Sequence, residues 1–341
     1  MFRGKGIFTW QIRTCGGPDG VVETSKKLKL DYNMIKVADG NGSYNLRENA
    51  LGLWVDDIVG PTVEGLEAAG IKPIGWQYVY LYNPIAEARK AAERVKKFNL
   101  KAFVVNAENQ AKDKPGQAAI YMAELRRILP DLPIAISSYR YPKYHMDFPW
   151  KQFLELADIN MPQVYWIQAH NPAVQLQTTV DQFETLYTNI GFSRPIIPTG
   201  AAFAEHGWTA TIKDIEEFHE ESLRLASKNK ILASNNWWEL SAAIKHAFVD
   251  TIAAQSWSTP PPGEPEPPTV PDVPRVLQVV NGKGINVRSQ ANVTSANIIG
   301  FLRFGAKPIA YEFQKIGNNL WARIGDNLWI AATYNGQQLA K

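Results

Sequence analysis

Two patterns of apolar and polar positions alternate along the first 257 residues. Short β-rich apolar runs starting near Gly6, Asn33, Lys72, Leu100, Pro133, Asp158, Arg194 and Lys230 predict eight strands. Helical periodicity fills the intervals, and three helices carry explicit start signals. Asn83-Pro84 precedes IAEARKAAERVKKF, Pro115 precedes GQAAIYMAELRRIL, and Thr211 with Asp214 precedes IEEFHEESLRLA. A capping side chain satisfies the N–H groups that a helix start leaves unpaired, and a first-turn proline has none to satisfy. Strand-helix units recurring roughly every 32 residues over ~250 predict a (β/α)8 TIM barrel of α/β class rather than an open doubly wound sheet. Beyond residue 274 the pattern changes to short alternating strands broken by Asn-Gly, Gly-Asn-Asn and Gly-Asp-Asn turns, which predicts a small all-β barrel.

Composition separates these two regions. Ser258 to Pro274 holds eight prolines in 17 residues and can neither form a helix nor feed a sheet ladder, so 258–274 reads as an extended spacer between domains 1–257 and 275–341. Net charge is 0 over 1–257, −3 over the spacer and +6 over 275–341. The basic C-terminal piece therefore favours polyanionic partners, such as cell-wall polymers, nucleic acid or acidic lipid headgroups. A single cysteine, Cys15, excludes an intrachain disulfide and a cysteine-based zinc cluster. No apolar run approaches the ~20 residues of a membrane span. The opening MFRGKGIFTW has no apolar signal core, so export is expected to need another route.

Catalytic groups of such a barrel sit at the C-terminal ends of its strands. In KAFVVNAENQ, the fourth strand, period-two geometry puts Ala102, Val104, Asn106 and Glu108 on one face, the two polar groups ~6–7 Å apart along the strand. A carboxyl group there, partly desolvated by aromatic neighbours, is suited to protonating a leaving oxygen. Asp39 closes the second strand facing inward. Gln163 and Tyr165 share a face with Met161 at the end of the sixth. Aromatic residues gather near the same ends: Trp10, Tyr80, Tyr82, Tyr139, Tyr141, Trp166, Trp208, Trp237 and Trp238. Sugar C–H faces stack on such rings, and the number at one end favours a carbohydrate groove. Among them Trp10, Tyr80, Tyr139, Trp166 and Trp238 join Gln163 and Tyr165 as expected substrate contacts.

The Asn106-Ala107-Glu108 segment resembles the Asp-x-Glu strand of family 25 glycoside hydrolases, the lysozymes, and more loosely the acidic motif of family 18 chitinases; Asn106 stands where those families have aspartate. Its spacing is similar to family 85 endo-N-acetylglucosaminidases. That resemblance implies an asparagine that orients the substrate's own acetamido group as nucleophile and a glutamate acid/base, with no second catalytic carboxylate. Met161 to Trp166 resembles the Met-x-Tyr-Asp strand of family 18, with Gln163 at the tyrosine position. Ile285-Asn286-Val287-Arg288-Ser289, Ile299-Gly300-Phe301-Leu302, Leu320-Trp321-Ala322-Arg323-Ile324 and Leu328-Trp329-Ile330 resemble a bacterial SH3 domain, which implies a wall-binding module.

The resulting expectation is a monomeric cell-wall glycoside hydrolase cutting peptidoglycan or a related N-acetylated polysaccharide. Glu108, Asn106 and Asp39 are its catalytic candidates, with no cofactor, metal or nucleic-acid partner. Without a signal sequence, a phage or prophage lysin or a virion-associated enzyme is expected. Two alternatives stand beside it: a barrel that grips glycan without cutting it, and a zinc-dependent deacetylase or amidase using His145, His170 and His206 from the loops after strands five, six and seven.

Overall fold

The computed structural model describes residues 2–56, 58–257, 275–292, 297–316, 319–334 and 337–340. The stretch 258–274, read as a spacer, lies outside the described residues. The chain divides into two compact units, 1–262 and 263–341.

In the first unit eight strands run parallel: β1 (Gly4–Thr9), β2 (Tyr32–Asp39), β3 (Lys72–Val79), β4 (Phe103–Ala107), β5 (Ile134–Tyr139), β6 (Ile159–Val164), β7 (Thr199–Ala201) and β8 (Ser234–Trp238). Each pairs with the next from β2 to β8. β1 pairs with both β8 and β2, which closes the barrel. Strands seven and eight start later than the apolar runs at Arg194 and Lys230. Pro195 and Pro198 precede β7, and proline has no N–H for the ladder, so only an isolated bridge from Ile196 to Asn160 forms before Thr199.

Helices α1 (Gly17–Lys27), α2 (Val59–Ala68), α3 (Pro84–Lys97), α4 (Pro115–Ile128), α5 (Trp150–Glu155), α6 (Pro172–Ile190), α7 (Ile212–Ser227), α8 (Leu240–Lys245) and α9 (Val249–Ala254) lie among the strands in sequence. The start signals act as expected. The Asn83 side chain accepts from Ala86 N, Pro115 opens α4, and Thr211 and Asp214 form a reciprocal capping box.

Strand alternation sorts apolar side chains into two layers. Phe8, Met34, Ile74, Trp76, Val104, Met161 and Ile197 fill the barrel interior, while Ile7, Ile35, Val105, Ile136 and Val164 face the helices. Gly6 makes room for this filling: a Cβ there would lie 2.1 Å from the Tyr32 ring. The Tyr32 hydroxyl is bonded to Asn236 and, at 2.9 Å, to Ser234, so the polar groups at this level are satisfied.

The second unit is an antiparallel sheet. Its strands β9 (Ile285–Arg288), β10 (Ile298–Leu302), β11 (Glu312–Ile316), β12 (Asn319–Gly325) and β13 (Leu328–Tyr334) are ordered β10-β9-β13-β12-β11. Leu277, Val279, Ile285, Val287, Ala322, Ile330 and Ala332 form its core. Asn327 takes φ 53° in the tight turn between β12 and β13, where the Gly-Asp-Asn signal predicts a hairpin. Gly284, at φ 73°, packs where a Cβ would meet the Phe301 ring at 2.3 Å.

Among the described residues no helix is long and apolar enough to cross a membrane.

Candidate active site

The polar cluster at the C-terminal mouth is assembled by β2, β4, β5 and β6. On β4, Val104 points into the barrel, and the same parity carries Asn106 and Glu108 inward. Asn106 is buried and Glu108 half-buried. Asn106 Nδ2 donates to Glu108 Oε1 at 3.1 Å. Gln163, from β6, donates through Nε2 to Asn106 Oδ1 at 2.9 Å, to Glu108 Oε1 at 3.0 Å and to Ser137 Oγ at 3.4 Å. Two amides thus hold one oxygen of the Glu108 carboxylate, and among the described residues Oε2 is unengaged. One oxygen is fixed and the other is open, an arrangement that suits a group which gives up and regains a proton.

Three phenols share the field of Glu108. Burial is the first cause and the Glu108 charge the second in raising all three. The Tyr139 hydroxyl is pushed up to about 12, and those of Tyr78 and Tyr165 are raised as well. All three are protonated at neutral pH, and the hydroxyls of Tyr139 and Tyr165 are suited to donating to a sugar hydroxyl or an acetamido carbonyl. Tyr78 donates to Gln110, and Tyr139 lies stacked on His145 at 3.7 Å between ring centroids.

Asp39 also faces inward, for a reason that alternation alone does not contain. The register between β2 and β3 shifts between Lys36 and Ala38, a bulge that restores Asp39 to the face of Lys36. The two side chains pair at 3.1 Å, and the Tyr80 hydroxyl lies 3.4 Å from both Asp39 oxygens. Lys36 is the functional candidate that sequence reasoning missed; its only signal is a charge set among Met34, Ile35, Val37 and Ala38 in the middle of β2. It is buried, with Nζ 4.1 Å from the Tyr44 ring centroid, 5.1 Å from Trp76 and 6.0 Å from Trp10. Burial lowers its ammonium below the usual lysine value, while Asp39 and then Glu108 pull it back up.

A hidden carboxylate fixes the rim. Glu87, buried at the start of α3, accepts from the backbone N–H groups of Tyr80, Leu81, Tyr82 and Asn83 at 2.8, 3.1, 3.0 and 3.2 Å. The loop after β3 is thereby shaped around one side chain, with Tyr80 and Tyr82 stacked at 5.7 Å. Across the mouth Trp238 contacts Phe8, Trp76 and Trp10, the last at 6.4 Å, and Trp10 is 43% exposed.

The expected aromatic contacts divide. Trp10, Tyr80, Tyr139, Tyr165 and Trp238 lie at the mouth. Trp166 does not: β6 ends at Val164, and the indole is fully buried between sheet and helices, 5.3 Å from Phe218. It is a packing residue, as is Trp237, which the alternation of β8 turns outward against Phe218. Trp208 is buried, donating through Nε1 to Ala169 O.

The three histidines do not converge. His145 lies on Tyr139, His170 Nδ1 is 2.7 Å from Asp214 Oδ2, and His206 is 3.2 Å from Glu205. Among the described residues no group of three or more His, Cys, Asp or Glu is placed to hold a metal ion. Glu239 is a buried cap of α8, accepting from Ser241 N and Ala242 N.

No protein-family model matches the chain, and no curated protein matches it in sequence. Solved structures share the barrel. The chitinase of Chromobacterium violaceum ATCC 12472 is 9% identical with a TM-score of 0.52, covering 75% of this chain and 100% of its own. The xylanase-α-amylase inhibitor protein XAIP-I, solved with trehalose, is 12% identical at 0.50, covering 75% and 99%. XAIP-II from Scadoxus multiflorus is also 12% identical at 0.50, covering 74% and 98%. At these identities the likeness is one of fold.

Proposed function

We propose that the first unit is a glycoside hydrolase acting on N-acetylated glycan strands, with peptidoglycan as the foremost substrate and Glu108 as its acid/base. The observation that carries this is the clamping of Glu108 Oε1 by the Asn106 and Gln163 amides at the C-terminal mouth, with Oε2 left to the substrate. Protonated Glu108 gives its proton to the glycosidic oxygen as the C1–O bond breaks. The acetamido oxygen of the same sugar attacks C1, with Asn106 and Gln163 as the amides that orient the group. Water then opens the cyclic intermediate and returns a proton to the Glu108 carboxylate. Trp10, Tyr80, Tyr139, Tyr165 and Trp238 supply stacking faces and hydroxyl donors. Asp39 is tied to Lys36 and Tyr80, which suits it to binding and charge balance at the mouth. The second unit, +6 in net charge over 275–341, serves in this reading as an SH3-like module that docks the enzyme on anionic walls, as in a phage or prophage lysin.

One observation favours a second reading, a barrel that holds glycan without cutting it. The fold is shared by inhibitor proteins as well as by a chitinase, and one of the inhibitors was solved with trehalose. Reducing-sugar release from peptidoglycan and chitin, with and without chelator, decides between them. The hydrolase reading expects release that chelator does not affect and that Glu108→Gln lowers by ~10²-fold or more while glycan binding persists. Glycan binding without release would establish the second reading, and loss with chelator would establish metal-dependent chemistry.

A further inference from the structure

A cavity of about 220 Å3 lies beside the mouth and is lined by Tyr44, whose ring centroid is 4.1 Å from Lys36 Nζ. It is walled by the turn after β1, with Gln11 and Arg13, and by the excursion between β2 and α2, with Tyr44, Asn45 and Trp54. That volume falls below the ~300–1,000 Å3 of a drug-sized ligand's pocket and suits one sugar ring or its substituent.

Its floor is built rather than incidental. The Asn45 side chain is buried, accepts from Ile12 N at 2.9 Å, and donates to Trp10 O at 3.0 Å and Lys36 O at 2.8 Å. One amide thereby fixes the excursion to both flanking strands and to the backbone of Trp10, which forms the rim of the candidate active site. Gln11 Nε2 reaches the Tyr44 hydroxyl at 3.4 Å. Two groups in this frame have no internal employment. Trp54, in the short antiparallel hairpin of Arg47–Glu48 with Trp54–Val55, is 59% exposed, and Arg13 is exposed with no side-chain partner among the described residues. An open indole beside an unpaired guanidinium, against a rigid amide-lined wall, matches a sugar ring that carries an oxyanion. The ring's C–H face stacks on indole, and the guanidinium's fork pairs bidentately with carboxylate or phosphate.

We infer that this cavity is an outer subsite for an acidic glycan unit, with Arg13 reading an oxyanion substituent and Trp54 supporting the ring. The inference rests on the glycan-binding reading of the mouth and adds to it the charge of the preferred substrate. The cavity adjoins the rim through Tyr44: Lys36 Nζ lies 4.1 Å from the Tyr44 ring centroid and 6.0 Å from that of Trp10, and the same tyrosine lines the cavity with Arg13.

The test uses the full chain and calorimetric binding of three tetrasaccharides at low salt: neutral chitotetraose, chitotetraose 6-phosphate, and the alternating N-acetylglucosamine–N-acetylmuramic acid tetrasaccharide. The expected result is about tenfold tighter binding of at least one acidic ligand than of chitotetraose, the scale of one charge-assisted hydrogen bond. Which acidic ligand gains identifies carboxylate or phosphate as the oxyanion. Arg13→Gln should remove that preference while leaving chitotetraose affinity unchanged, and Trp54→Ala should weaken the acidic ligand further. Binding of all three with equal affinity, or an unchanged preference in Arg13→Gln, overturns the subsite and leaves the glycan reading intact. Binding of none overturns both.

Discussion

Replacing Glu87 by glutamine changes one atom pair and tests how the aromatic rim is held. The wild-type carboxylate meets only donors: Oε2 accepts from Tyr80 and Leu81, Oε1 from Tyr82 and Asn83. An amide keeps one acceptor oxygen and turns an NH2 group toward the other pair of N–H groups, two of which then lose their partner in a closed site. Hydrogen bonds to a charged group contribute about 1.5–3 kcal/mol each, and an unsatisfied buried donor costs about 1–3 kcal/mol. Tyr82 and Asn83 are exposed, so water and relaxation at that end of the loop recover part of this, and a loss of about 3 kcal/mol is expected. For a unit of this size that corresponds to a melting temperature lower by roughly 6–12 °C. Urea unfolding followed by tryptophan fluorescence measures it, with Glu23→Gln, on the exposed face of α1, as a control expected within about 0.5 kcal/mol. Because the loop presents Tyr80 to Asp39, Glu87→Gln should also weaken glycan binding well below the melting point. A loss under 1 kcal/mol would show that the loop holds its shape without the carboxylate, and the account of the rim would be wrong.

Three further outcomes follow from the same geometry. Trp166→Phe should lower stability by about 1–3 kcal/mol, in the range for truncating a packed core side chain, yet leave glycan affinity unchanged, whereas Trp10→Ala should weaken binding with little effect on melting. Burial lowers the Lys5 ammonium to about 8, so from there to the unfolded value near 10.5 the unfolded chain carries the extra proton and stability gains with rising pH; urea unfolding at pH 7.5 and 9.5 should show that gain in the wild type and its absence in Lys5→Met. Burial and then the Glu239 charge hold the Cys15 thiol up at about 12, so its alkylation in the native state should be slow at pH 8 and become fast only in denaturant.

How far the sequence reveals the site depends on whether strand parity survives to the strand's end. On β4 it does, and Asn106 and Glu108 emerge on the face that alternation assigns. On β6 the parity places Gln163 inward and Trp166 outward; reading Trp166 as a sugar contact gave weight to its nearness to the strand end over the face it occupies. On β2 the bulge between Lys36 and Ala38 breaks the period, so the Lys36–Asp39 pair could not be derived from alternation. Glu87 was hidden for another reason. It belongs to a helix whose amphipathic pattern accounts for it as one more charged residue, and only the left-handed Leu81, at φ 57°, shows the loop folding back over it. The eight strands were legible because each carries its own apolar run. The late start of β7 was not, because Pro195 and Pro198 lack the N–H donors that the ladder requires and that hydrophobicity does not report.

β1 has a consequence for how the molecule is made. It pairs with β2, some 25 residues away, and with β8, more than 200 residues away, and the Lys5 ammonium donates to the carbonyls of Ile252, Ala253 and Gln255 at 2.7, 3.4 and 3.0 Å. During synthesis the first strand therefore waits with one edge unpaired until nearly the whole unit has emerged. At ~5–20 residues per second that exposure lasts on the order of ten seconds or more, an interval in which an open parallel edge is open to pairing with other chains. Closure is a late event with a large loop penalty, so the barrel's folding rate should be governed by the docking of residues 234–255 onto 4–9 rather than by the formation of any helix.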